Sequence, residues 1–357
     1  IGYLAIVTGI CILSFYAVIA GQVAAHAIDY IQRPLSGSGL FDSGYGAGAA
    51  LAFFAFFTLL TVLVVVGGVQ RGIERWAKIL MPLLLVMMVA VIIRGLLLPG
   101  AGAGVRWLLM PDFSKLSWAV VLEAMAQAFF SLSLGMGAML TYGSYLSKKQ
   151  DVLRCGIWVV TFDTLIAILA GLMIFPALFA LGQEPDAGPT LIFSVLPAVF
   201  ELMPGGGLVG ALFFLLLSVA ALTSTVSLLE VVAAYFIDER RWTRLRTVVV
   251  AALVTVVVGV PSAMSWVGSE PFPGLDLFGQ TEFFSLMDFL WVSVSLPLGA
   301  LLLCLFATFV WGLGKAADEI ASTSTLFTRL APLWKLFVAV VCPVFIAIIL
   351  VTRFVTL

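Results

Sequence analysis

Apolar positions in this chain do not recur at the period of an amphipathic helix or a half-buried strand; they run on in long, nearly continuous blocks. Nine blocks stand out, at approximately 1–30, 48–68, 78–98, 118–146, 153–181, 208–237, 245–265, 284–313 and 332–355. A helix of about 20 apolar residues crosses a hydrocarbon core of ~30 Å, so the pattern predicts an all-α integral membrane protein. Between the fifth and sixth blocks, Thr190 to Met203 is shorter and amphipathic. It is expected to be a loop helix packed over one mouth of the bundle.

The fourth block contains an interruption. Ser131-Leu132-Ser133-Leu134-Gly135-Met136-Gly137 stands where a helix former belongs. A glycine costs ~1 kcal/mol against alanine in a helix interior. Unwound backbone is tolerated at membrane depth only where it is buried in protein or lines a watery cavity. A helix broken at mid-depth is the construction used at transporter binding sites.

Composition fits the pattern. The chain of 357 residues is 62% hydrophobic and 10% charged, with a net charge of −1; a soluble domain carries about 25% charged residues. The charge balance argues against nucleic acid as a partner. Cys11, Cys155, Cys304 and Cys342 form no CxxC pair and His26 is the one histidine, which speaks against a disulfide framework or a transition-metal site. The chain opens on Ile1 inside an apolar block, and is read as N-terminally incomplete rather than as carrying a signal peptide.

Basic residues choose the orientation. Of 18 Lys and Arg residues, Arg33, Arg94, Arg106, Lys115 and Arg353 fall on one set of loops and the other thirteen on the opposite set. The positive-inside rule makes the richer side cytoplasmic. The given N-terminus is then cytoplasmic and the C-terminus external, in the inner (plasma) membrane.

Four acids, Glu123, Asp163, Glu230 and Asp288, lie within blocks or at their edges. Intramembrane carboxylates face a cavity, a cation or a hydrogen-bonding partner. Asp163, inside Val159-Val160-Thr161-Phe162-Asp163-Thr164, sits at a depth from which it can reach the interrupted segment. Ala220-Ala221-Leu222-Thr223-Ser224-Thr225 is a third polar cluster. Its hydroxyls either bond back to their own helix and glue helices together, or join a mid-helix carbonyl as hard oxygen ligands for a small alkali cation. The broken segment and the aspartate in the same chain favour the cation.

The string Gln127-Ala128-Phe129-Phe130-Ser131-Leu132-Ser133-Leu134-Gly135-Met136-Gly137-Ala138-Met139-Leu140-Thr141-Tyr142-Gly143-Ser144-Tyr145 strongly resembles the sixth helix of bacterial neurotransmitter:sodium symporters. Gly68-Val69-Gln70-Arg71-Gly72-Ile73-Glu74-Arg75 is similar to the loop before that family's fifth helix. Gly188-Pro189-Thr190-Leu191-Ile192-Phe193-Ser194-Val195-Leu196-Pro197 resembles its fourth external loop, and Ala221-Leu222-Thr223-Ser224 its eighth helix. The resemblance implies a five-plus-five inverted-repeat bundle that begins here at the family's third helix. The remainder of the first repeat would occupy 1–98, the second repeat 118–313, and an additional span 332–355, all in one transporter domain.

Roles carried over by position follow from that resemblance. Ser131 and Asp163 correspond to ligands of one sodium ion, and Ala220 (through its carbonyl), Thr223 and Ser224 to ligands of a second. Tyr16 matches the tyrosine that binds a substrate carboxylate, and Ile12 lines the pocket one turn earlier. Phe130 resembles the aromatic lid, and Ser131, Ser133, Met136, Thr225 and Leu228 complete the substrate wall. Asp288 and Asp238 resemble the external and internal gate acids, with Tyr145 and Gln127 supporting the gates.

Two positions depart from the family. Ala167 replaces the serine that chloride-dependent relatives carry four residues after the helix-seven ligand, and Asp163 adds a fixed negative charge at that ligand position. Together they imply chloride independence. Gln22 stands where the family usually has tryptophan.

The implied activity is sodium-coupled symport of a neutral, hydrophobic or aromatic amino acid by alternating access, with sodium as the coupling ion and no organic cofactor. No nucleophile–base–acid set marks an enzyme. A non-transporting amino-acid sensor or scaffold of the same fold, and an inactive fragment, are the alternatives that sequence leaves open.

Overall fold

The computed structural model describes residues 1–36, 38–42, 44–183, 185 and 191–355, with side chains throughout except at 35, 36, 69–77, 354 and 355. Of the stretches that carry the family resemblance, the side chains of 69–75 and all of 188–190 lie outside the described residues. Among the described residues the regular elements are all helical, with no strand.

The helices follow the apolar blocks. They are α1 (Gly2–Ser36), α2 (Ala47–Gly67), α3 (Val69–Leu96), the short α4 (Ala101–Leu109), α5 (Trp118–Ser131), α6 (Ala138–Ser144) and α7 (Val152–Ala180). Then come α8 (Leu191–Glu201), α9 (Gly206–Asp238), α10 (Arg244–Trp266), α11 (Phe283–Asp288), α12 (Leu296–Leu305), α13 (Leu313–Ala321), α14 (Thr325–Leu336) and α15 (Cys342–Val355). Capping residues set several starts. Ser117 accepts from the Val120 amide at 3.3 Å to open α5, and Thr243 accepts from the Arg246 amide at 3.4 Å to open α10, each satisfying a first-turn donor.

Eight helices among the described residues are long and apolar enough to cross a membrane. The ninth expected span, 118–146, is present as α5 and α6, of 14 and 7 residues. Neither piece alone crosses ~30 Å at 1.5 Å per residue. Of the amphipathic stretch expected from Thr190 to Met203, residues Leu191–Glu201 form α8, a short helix outside the set of long spans.

The last two spans are more irregular than their apolar runs imply. α11 passes through a π-helical stretch (Phe289–Ser295) into α12, a second (Phe306–Gly312) joins α12 to α13, and a third (Phe337–Val341) joins α14 to α15. π-turns of this kind cluster at functional positions. The first ends just before Pro297, whose ring cannot donate a hydrogen bond to the preceding turn. The shift in register therefore falls where one bond is absent anyway.

The chain divides into two compact units, one of 1–16, 117–163 and 227–357, the other of 17–116 and 164–226. In the first, α12 packs on α15 and α5, and α10 on α11. The core of the second gathers Val91, Ala177, Leu196, Phe200 and Phe214, all fully buried. His26 lies in that core as an aromatic packing residue. Its ring is 4.3 Å from Phe41 and 4.9 Å from Phe214 between centroids, and Nδ1 sits 3.0 Å from the Gln22 carbonyl. One turn on, Asp29 holds Arg33 at 2.7 Å and accepts the Phe41 amide at 3.2 Å, tying the chain after α1 back onto the helix.

Phe214 also touches Tyr30, Phe193, Phe200 and Phe213. Truncating it leaves a cavity that close-packed neighbours cannot fill. Phe214→Ala is expected to cost about 3 kcal/mol, read as a lower thermal unfolding midpoint in detergent. Val257→Ala, at a 73% exposed position of α10, should leave the midpoint nearly unchanged.

Candidate functional site

The chain leaves the α-helix at Leu132 and re-enters it at Ala138. Ser133 takes φ +55°, Gly135 +83° and Gly137 +84°. These left-handed conformations suit glycine and cost a serine about 1 kcal/mol or more. The end of α5 is closed by amides folding back: Leu132 donates to Ala128 (3.0 Å), Ser133 to Phe130 (3.0 Å) and Leu134 to Phe129 (2.8 Å). α6 begins with Thr141 donating to Gly137 at 3.0 Å. Between the two, the amides of Gly135, Met136 and Gly137 have no protein acceptor among the described residues. Backbone groups so placed at membrane depth are available to a ligand.

Three helices of the first unit hold this segment. A Cβ added to Gly135 would lie 2.1 Å from the Leu296 carbonyl oxygen of α12. One added to Gly137 would lie 3.1 Å from Ala5 of α1 and 3.1 Å from Val231 of α9. The segment is thus enclosed by protein, as its unwound backbone requires.

Ser131, the last residue of α5, donates its hydroxyl to Asp163 of α7. The structure therefore brings together two of the residues expected to hold one sodium ion. Both offer hard oxygen, the donor type that suits an alkali cation rather than a transition metal.

The polar cluster on α9 is arranged within the second unit. Thr223 Oγ1 donates to the Ala220 carbonyl at 2.7 Å, so one of the expected oxygen ligands bonds back to another. Ser224 is exposed. Thr225 is fully buried, with its hydroxyl 2.8 Å from that of Thr61 on α2 and 3.0 Å from the Leu222 carbonyl.

The remaining substrate candidates, Ile12, Tyr16, Phe130, Ser133, Met136 and Leu228, all belong to the first unit. Ile12, Met136 and Leu228 are buried, while Tyr16, Phe130 and Ser133 are half-buried. Asp288 ends α11 directly before the first π-turn, Asp238 is the exposed last residue of α9, and Gln127 is exposed on α5.

Past α6, Tyr145 donates to Glu230 Oε1 at 3.3 Å, and Arg244 pairs with Glu230 Oε2 at 2.5 Å. Tyr142 adds a bond of 2.8 Å to Ser227. Glu230, buried on α9, thus has a cation and a phenol as partners. Arg244 and Ser227 escaped the sequence reading. The available signal was the short turn between α9 and α10, which returns a basic segment to the depth of the last turns of α9. Glu123, on α5, pairs with Arg353 at 3.2 Å.

Long apolar helices, one of them broken and carrying hydroxyl and carboxylate oxygens at the break, are the construction of a membrane secondary transporter. The sodium:neurotransmitter symporter family matches residues 46–357, and the chain belongs to that family. It is 37% identical to the sodium-dependent transporter YhdH of Bacillus subtilis, over 98% of this chain and 78% of that one. It is 31% identical to a sodium-dependent transporter of Haemophilus influenzae, over 99% and 78%. Its fold matches the crystal structure of MhsT in complex with L-phenylalanine at a TM-score of 0.89 and 39% identity, covering 99% of this chain and 80% of MhsT.

Removing the half-buried arginine of this pair strands a buried carboxylate. Arg244→Ala is expected to lower stability by about 3 kcal/mol, measured by thermal unfolding in detergent. Adding Glu230→Gln should recover most of the loss. Equal losses in the single and double variants would show that the pair does not hold α9 to α10.

Proposed function

We propose that the chain couples sodium entry to the uptake of a neutral, hydrophobic or aromatic amino acid. The observation that carries this is the junction of Ser131 and Asp163 at the end of the broken helix, in a member of a sodium-dependent family. In this reading Ser131 and Asp163 serve one sodium ion, and the Ala220 carbonyl with Thr223 and Ser224 a second.

The substrate would lie against the unwound backbone. Tyr16 would take its carboxylate, and Ile12, Met136 and Leu228 would line its side chain, with Phe130 as the lid. Ser133 completes the wall; Thr225, the other wall residue of this reading, belongs to the second unit and has its hydroxyl engaged by Thr61. No acid or base stands among these wall positions, so burying a charged side chain there would be costly. The MhsT complex with L-phenylalanine supports an aromatic or large apolar substrate.

Alternating access would close the outer side around Phe130 and Asp288, with Gln127 in support, and open the inner side near Asp238. Tyr145 is held by Glu230 beside that inner end. With the basic loops cytoplasmic, the N-terminus of this chain faces the cytoplasm and its C-terminus the exterior of the plasma membrane. Coupling follows if sodium binds the outward form more tightly than the inward one, since a ligand shifts only an equilibrium it discriminates.

Chloride has no place in this scheme. Asp163 supplies a fixed anion beside the cation, and Ala167, one helical turn further along α7, offers no hydroxyl.

Radiolabelled amino-acid uptake into proteoliposomes under a sodium gradient is the test. Phenylalanine and leucine should be taken up and lysine and glutamate left out. Replacing chloride by gluconate should change nothing, and a chloride-stimulated rate would overturn the assignment of Asp163. Asp163→Asn should raise the half-saturating sodium concentration about tenfold, equivalent to ~1.4 kcal/mol. An unchanged sodium dependence in that variant removes Asp163 from the ion site.

A further inference from the structure

The contact between Gly135 and α12 is reciprocal. A Cβ on Gly135 would fall 2.1 Å from the Leu296 carbonyl oxygen and 3.1 Å from the Ala300 amide nitrogen. A Cβ on Gly299 would fall 2.3 Å from the Gly135 carbonyl oxygen and 3.0 Å from its Cα. All of these atoms are backbone, so no flexible side chain can yield. Two main chains touch because neither residue carries a side chain, and both residues are buried.

The element that bears this contact is itself anchored. α12 starts where the first π-turn ends, and the last residue of that turn, Ser295, shares a buried 2.5 Å hydrogen bond with Thr8 of α1. One turn further along α12 lies Gly299. The unwound segment therefore rests on a helix whose register is fixed at the same level by α1.

From this geometry we infer that Gly299 is a positioning residue for the broken segment, setting where residues 135–137 present their free amides although it contacts neither ion nor substrate. This rests on the reading of the break as the binding segment. Gly135 cannot test it cleanly, because its φ of +83° strains any substitution. Gly299 is helical, so only the contact forbids a methyl group there. Relieving the clash to an ordinary 3.4 Å requires a shift of about 1 Å, twice the ~0.5 Å within which a binding constellation must be held.

Helix propensity makes the opposite prediction, because alanine is favoured over glycine in a helix interior. The sign of the effect therefore separates the two accounts.

The experiment is hydrogen exchange by mass spectrometry on the purified chain, with and without sodium chloride, for wild type, Gly299→Ala and the control Gly156→Ala. Gly156 lies on α7 with nothing within 4 Å of its added Cβ. Gly299→Ala should exchange peptides covering 132–137 at least severalfold faster than wild type, and should need about tenfold more sodium for half-maximal protection. Gly156→Ala should match wild type. Unchanged exchange at 132–137 in Gly299→Ala overturns the inference.

If Gly299→Ala does not fold, wild type decides. Peptides covering 132–137 and 296–300 should gain protection at one common half-saturating sodium concentration, and protection of the first without the second overturns the seat. If sodium protects neither peptide in wild type, the symport reading fails. The seat is then judged by basal exchange at 132–137 in Gly299→Ala, or, without that variant, by whether the two peptides share one basal opening rate.

Discussion

Backbone that leaves the helix inside a membrane must be enclosed by protein, and in this chain that demand is met by direct main-chain contact. The stretch from Leu132 to Gly137 gives up helical hydrogen bonds and adopts three left-handed residues. It is stable there because α12 comes up against Gly135, while α1 and α9 close on Gly137. Remove those three supports and the free amides face hydrocarbon, at several kcal/mol each. The packing of α1, α9 and α12 in the first unit can be understood as the scaffold that makes one broken helix affordable.

The same demand explains which sequence signals were legible. Long apolar blocks fixed eight helices, since composition alone decides whether a segment prefers lipid. The break was legible because two glycines and two serines interrupt an apolar run, and the structure bends at Ser133, Gly135 and Gly137. The pairing of Ser131 with Asp163 could be anticipated from the placement of an acid at comparable depth in the next long span.

What was hidden depended on which helix lies beside which. Gly299 reads as an ordinary small residue in an apolar span, and only the opposing backbone of Gly135 gives it a reason. Glu230 was an isolated intramembrane acid until Arg244, across the turn between α9 and α10, supplied the counter-charge. Thr225 was expected in the substrate wall, and its bond to Thr61, far away in sequence, left no signal in its own segment. The π-turns left no composition signal either. They are compatible with the same apolar residues as an α-helix.

The bond between Ser131 and Asp163 has a consequence for ion recognition. A hydroxyl has one proton and two lone pairs. Giving the proton to Asp163 orients the Ser131 oxygen, leaves its lone pairs for a cation, and makes that oxygen more electron-rich, as outer partners do for metal ligands generally. Asp163 thus acts twice in the proposed site, as a charge and as the acceptor that aims its neighbour. An asparagine could accept the same proton through its carbonyl and preserve the aim while losing the charge. The contribution of net charge to sodium affinity is therefore separable, at this one position, from the contribution of geometry.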